Sequence, residues 1–135
     1  MSDRFKNWKA PKIIHGKLTK WHWKVLHPKN FKLGKYTDIS SFVVIFAQNG
    51  VVIEDNVQIG PNSSIISEDT ISGKKGPVIL KKNSCIGANS IVMPGVTVGE
   101  NTIVGAHSLV LKDLPPNVVA LGVPAKIVKK IKPKK

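Results

Sequence analysis

The chain has 135 residues, 41% hydrophobic and 6% aromatic, with 11 Gly, 9 Pro and one Cys; this fits one small turn-rich domain and excludes an internal disulfide. No apolar run approaches the roughly 18 residues of a membrane span, the N-terminus is charged rather than an apolar export signal, and a cytoplasmic location is expected. The 21 Lys and Arg against 8 Asp and Glu give a net charge of +13, which suits phosphate-bearing small molecules or an anionic surface; few aromatics and no familiar motif argue against nucleic acid as a partner.

In chain order, residues 1–30 follow no regular beat and read as an N-terminal arm. Ile14, Leu18, Trp21 and Val25 fall at steps compatible with a short amphipathic helix, limited by Pro11, Gly16 and Pro28. Trp8, Trp21 and Trp23 are costly to expose together and are expected to cover the open end of the next element or a neighbouring subunit.

From Leu33 an aliphatic residue returns every sixth position, at Ile39 and Ile45, with Thr37 and Val43 as smaller companions. The beat skips between Ile45 and Ile53, placing a two-residue bulge at Gln48–Val52. It resumes through Ile59 and Ile65. Fifteen residues then separate Ile65 from Leu80, nine more than a hexad needs. Ser, Asp, Gly and Lys dominate the middle of this insertion, so residues 66–77 are expected to project into solvent and to be the first place to look for function.

Leu80, Ile86, Val92, Val98, Val104 and Val110 then hold the six-beat without a slip. Such a period fits neither a helix nor a free strand and requires a unit that turns a corner every six residues. Three hexads make one triangular coil of about eighteen residues, with equivalent positions stacked roughly 4.8 Å apart. The aliphatic residues point inward, as do Ser84, Ser90, Val96, Thr102, Ser108 and Leu114. Asn56, Asn62, Asn83, Asn89, Gly95, Asn101, His107 and Asp113 occupy corners, where residue types that tolerate positive φ belong.

Pro115 and Pro116 interrupt the pattern, Val118–Val123 is expected to close the last coil, and Ala125–Ile131 to form a short basic helix. The expected architecture is all-β: about four triangular coils over residues 31–123, between the arm and a basic helix and tail over 124–135. The outer sides of such a prism are flat, so assembly through them is expected. Cys85 faces outward at the end of a hexad and reads as passive.

The run IGANSIVMPGVTVGENTIVGAHSLVLKDLPPNVVALGVPAKIVKKI resembles the C-terminal coils of the hexapeptide-repeat acyltransferases, on the maltose and galactoside O-acetyltransferase branch. The resemblance implies a left-handed parallel β-helix, a homotrimer with active sites in the intersubunit clefts, and acetyl-CoA or another acyl-CoA as donor. The family's CoA-contacting positions fall on Ala88, Ala106, Leu111, Lys112, Lys126 and Lys129. Small side chains at Ala88 and Ala106 would leave a groove for the pantetheine arm, and the lysines would meet the phosphates. The positions assigned to the acceptor are Gln48, Asn62 and Thr70.

One departure matters. The family's catalytic histidine, the general base for an acceptor hydroxyl, falls near Thr70, and the segment Ser67–Thr70 contains no histidine. An amine acceptor needs little help to attack a thioester, and some nucleotide-linked amino-sugar N-acyltransferases of this superfamily are similar in lacking that histidine. Asp69 or Glu68 could instead act as the base on a sugar hydroxyl if its pKa were raised. A coil that binds CoA, or serves as a scaffold, without catalysis is the third reading.

Of the four histidines, His107 is a corner residue beside Ala106, while His15, His22 and His27 lie in the arm, from which an adjacent subunit could place one in a cleft. A zinc-dependent carbonic anhydrase on this coil would need three converging histidines, and the repeat region offers only His107, so no metal is expected.

Overall fold

The computed structural model describes residues 5–133; the first four residues of the expected arm and the last two of the basic tail lie outside them. The first coil consists of β1 (Lys24–Leu26), β2 (Phe31–Leu33) and β3 (Asp38–Ile39), and the second of β4 (Val44–Phe46), β5 (Val51–Ile53) and β6 (Gln58–Ile59). The third comprises β7 (Ser64–Ile66), β8 (Val78–Leu80) and β9 (Cys85–Ile86); the fourth β10 (Ile91–Val92), β11 (Thr97–Val98) and β12 (Ile103–Val104). A fifth, closing coil contains β13 (Leu109–Val110) and β14 (Val118–Gly122), followed by β15 (Ala125–Lys130).

Strands of successive coils stack in parallel into three sheets. The first face is β1-β4-β7-β10-β13, the second β2-β5-β8-β11, and the third β3-β6-β9-β12-β14, extended by β15. The column is therefore a parallel β-helix of about five turns. Register partners Lys24, Val44, Ser64, Ile91 and Leu109 lie 20, 20, 27 and 18 residues apart. The bulge accounts for the second interval and the nine-residue insertion for the third, while the first, as long as the second, reflects extra residues at the corners of the first coil.

The inward positions behave as the six-beat requires. Ile45, Ile53, Ile59, Ile65, Leu80, Val92, Val98 and Val110 are all buried, as are the smaller Ser63, Ser84, Ser90, Thr102 and Ser108. Leu33 is only partly buried, packed against the core from the first coil. Asn56, Asn62, Asn83, Asn89, Asn101 and His107 turn corners with φ between 57 and 63°, and Gly95 with φ 81°. Asp113 is the exception: it lies outside the left-handed set, and its Oδ1 instead accepts a hydrogen bond from Thr97 N at 2.8 Å.

Three expectations need correction. The C-terminal segment is a strand: β15 runs antiparallel to β14, pairing Leu121 with Lys126 and Val119 with Lys129. Six residues give little helical cooperativity, whereas the open edge of β14 supplies backbone partners immediately, and Ile127 and Val128 are β-branched. Among its described residues the arm forms no α-helix, only a 3-10 turn at Pro28–Asn30, and β1 already belongs to the column, so the first coil starts at Lys24 within the expected 1–30 segment. There are thus about five coils rather than four. The additional turn lies where 20-residue spacing hides the beat.

Candidate acyl-transfer edges

The corner joining the first and second faces carries the insertion. Ser67 anchors its base: the buried hydroxyl donates to Phe46 O at 2.6 Å and accepts from Asn49 N at 2.9 Å. The segment then folds back on itself through the antiparallel bridge between Glu68 and Lys75 and the bond from Asp69 N to Lys74 O at 2.8 Å. At its tip Ile71 is 96% exposed. Gly73 occupies the tip with φ 78°, a conformation glycine adopts without strain.

Asp69 does not meet the condition required of a base. Its Oδ2 accepts from Ser72 Oγ at 2.7 Å and its Oδ1 from Ile71 N at 3.1 Å. The Ser72 hydroxyl first, and the Ile71 amide second, hold the carboxyl below its ordinary pKa, and burial opposes them too weakly to reverse the direction. An acid made stronger in this way is a poorer proton acceptor, so Asp69 organises the loop. Glu68 accepts from Asn49 Nδ2 at 3.0 Å and pairs with Lys75 at 3.9 Å. Thr70 is exposed beside the tip.

One coil earlier, on the same edge, Gln48 O accepts from Asn30 Nδ2 at 3.0 Å, while Gln48 Oε1 is buried with no hydrogen-bond partner among the described residues. An open groove of about 510 Å³ runs beside it, bordered by Lys29, Lys32 and Asn49. Asn49 is the residue that sequence reasoning missed: it ties the Gln48 corner to Glu68. Its only trace in the sequence is the two-residue excess of that coil.

Asn62, Ala88 and Ala106 lie on a different edge, between the third and first faces. His107 N donates to Ala88 O at 2.9 Å and Asn89 N to Pro61 O at 2.9 Å, so these corners stack coil upon coil. Ala88 is half-buried and Ala106 exposed. Beneath this surface the hydroxyls of Ser63, Ser90 and Ser108 form a ladder: Ser90 N donates to Ser63 Oγ, Ser108 N to Ser90 Oγ, and Gly122 N to Ser108 Oγ. Lys126 and Lys129 are exposed on β15, which extends the third face adjoining this edge. Leu111 and Lys112 are exposed after β13, back on the edge of the insertion.

Within one chain, then, the structure gathers Gln48, Glu68, Asp69, Thr70, Leu111 and Lys112 on one edge. It places Asn62, Ala88 and Ala106 on another. The second edge, with small side chains backed by a rigid ladder and ammonium groups on the adjoining sheet, fits a thin chain ending in phosphates. His15 and His27 are turned toward each other, with His27 N donating to His15 Nδ1 at 2.9 Å and the rings 4.9 Å apart; His107 belongs to the corner stack.

Comparison with known proteins agrees with this architecture. Residues 77–112 match the family described as bacterial transferase hexapeptide (six repeats). The chain is 35% identical over 115 residues to a galactoside O-acetyltransferase of Escherichia coli K12, covering 76% of this chain and 55% of that protein. A maltose O-acetyltransferase structure from Clostridium difficile 630 superposes with a TM-score of 0.76 at 32% identity, over 82% of this chain and 64% of that one. The S84T mutant of AntD, an N-acyltransferase from Bacillus cereus in complex with dTDP and coenzyme A, superposes with a TM-score of 0.69 at 26% identity, over 85% and 80%. The chain spans about half the length, or less, of the curated relatives it matches. With a six-residue beat unbroken from Leu80 to Val110, stacked asparagine corners and these likenesses, the chain carries over residues 77–112 the hexapeptide repeat of the bacterial transferase family.

Proposed function

We propose that this protein transfers an acyl group, acetyl in the first instance, from coenzyme A to the amine of a nucleotide-linked amino sugar, and that it works as a homotrimer. The observation carrying this reading is the division of the candidate residues between two edges of one column. A single copy cannot bring them together. When the insertion edge of one copy faces the Ala88–Ala106 edge of the next, three such heterologous contacts close a ring and repeat the cleft three times.

In each cleft Ala88 and Ala106 would pass the pantetheine arm, Lys126 and Lys129 would meet the phosphates together with Lys112 of the adjoining copy, and Leu111 of that copy would offer an apolar contact to the coenzyme. Gln48, Asn62 and Thr70 would hold the acceptor, with the unpartnered Gln48 Oε1 available to an N–H or O–H donor. The free amine's lone pair attacks the thioester carbonyl, the C–S bond breaks, and the amine proton and the departing thiolate balance as an amide plus free thiol. Two features favour an amine over a hydroxyl: the insertion holds no histidine, and the Asp69 carboxyl is held low. The coenzyme A and dTDP named for AntD support the same donor and a nucleotide-bearing acceptor.

The test is thiol release from acetyl-CoA with a panel of nucleotide-linked amino sugars and plain sugars, alongside sedimentation equilibrium. Release with amines only, from a trimer, is expected. Turnover of hydroxyl acceptors that is lost in Glu68→Gln would transfer the reading to O-acylation. CoA binding without release on any acceptor would leave a non-catalytic binder.

A further inference from the structure

At the open end of the column, under the first coil, lies a cavity of about 300 Å³. None of the residues assigned above to acyl transfer lines it. Its aromatic walls come from the arm. Trp8 is pinned, with Nε1–H donating to Thr37 O at 2.9 Å and its ring 5.9 Å from that of Tyr36. Trp23 is 3% exposed, locked in the core and edge-on to Phe31. Between them, Thr19 Oγ1 accepts from both Trp21 N and Trp23 N, fixing the backbone that carries the two rings.

Trp21 behaves differently. It lines the same cavity yet remains 46% exposed, with the Lys20 ammonium 5.4 Å from its ring centroid. Trp23 already seals the core, so an indole half in water contributes little more to that seal. Around it the lining includes Lys9, Lys20, Asp38, Asn7 and Thr37. Rigid aromatic faces flanked by donors and acceptors match a sugar ring, whose C–H face stacks on indole while its hydroxyls take hydrogen bonds at the rim. The volume is at the small end for ligand sites, enough for a single ring.

We propose that this cavity binds one hexopyranose ring of a glycan, and that two ammonium groups against one carboxylate among the described residues that line it make acidic sugars the preferred class. The proposal goes beyond the acyl-transfer reading and does not rest on it. The test is calorimetric titration of the full chain, without acyl donor, with methyl β-D-glucuronide, methyl β-D-glucoside and UMP. Saturable binding of both glycosides is expected, the glucuronide several-fold tighter, with at least a tenfold loss in Trp21→Ala. Lys9→Ala, a change to an exposed side chain, should erase the preference for the glucuronide while glucoside binding persists. The far-UV circular dichroism spectrum shows that each variant is folded. Saturable binding of UMP without either glycoside, glycoside affinity unchanged in Trp21→Ala, a preference that survives Lys9→Ala, or no saturable binding would each overturn the proposal.

Discussion

A β-carbon placed on Gly87 would lie 2.5 Å from the backbone nitrogen of Ala106. The two corners are in backbone contact across neighbouring coils, with no flexible side chain between them to yield. Gly87→Ala is therefore expected to destabilise the protein by about 1–3 kcal/mol, as overpacking does. A lower urea midpoint at unchanged slope is the measurement. Gly73→Ala, at the open tip of the insertion where no atom lies within 4 Å, should cost only the left-handed backbone penalty of about 1–2 kcal/mol.

Two buried serines at equivalent inward positions should respond in opposite ways. Ser90 Oγ donates to Gly105 O at 3.2 Å and accepts from Ser108 N at 3.2 Å. Ser90→Ala removes both bonds and is expected to cost about 1–3 kcal/mol. Ser84 Oγ is buried without a partner among the described residues, so Ser84→Ala should be neutral or slightly stabilising. Thermal unfolding of the pair decides this; equal losses would contradict the ladder.

The lowered pKa of Asp69 fixes the sign of a pH effect. A carboxyl whose folded pKa lies below its ordinary 3.8 favours the folded loop above that value, and the benefit disappears as the pH falls through the folded pKa. Protection factors for amide exchange at residues 69–74, taken against the intrinsic rate at each pH, should stay flat across neutral pH and fall only in strong acid. In Asp69→Asn the same amides should already exchange faster at neutral pH, while the pH profile of thiol release near neutrality is unchanged.

Lys126 is exposed on β15 and opposite Leu121 in the register, so reversing its charge should disturb a ligand more than the fold. Lys126→Glu is expected to weaken acetyl-CoA binding about tenfold, the loss of one charge-assisted contact, with little change in the unfolding midpoint. Equal affinity would remove this lysine from the donor site.

The repeat was legible because every inward position meets nearly the same surroundings. Val92 or Val98 can be read from its neighbours one hexad away, and Asn89 as a corner by its tolerance of left-handed backbone. Where that uniformity ends, so did the reading. Ala125–Lys130 is short enough to suit helix or strand, and the free edge of β14 decided between them. The first coil was obscured because its corners carry extra residues. The candidate site resisted for another reason: Ala106 and Glu68 belong to different edges, and no linear pattern records that separation. The role of Asn49 depends on a contact to Glu68, nineteen residues away.

A column of near-identical steps has no internal reason to stop, because each finished coil offers the next chain the same template. The reversal at Gly122–Ala125 supplies one. Beyond it the outermost strand runs the opposite way, and three of its six residues, Lys126, Lys129 and Lys130, are lysines, whose charge repels an incoming strand. The hairpin thus guards the third face against strand addition, while β13 remains the edge strand of the first, and chains trimmed after Leu121 should associate end to end more readily rather than merely lose stability.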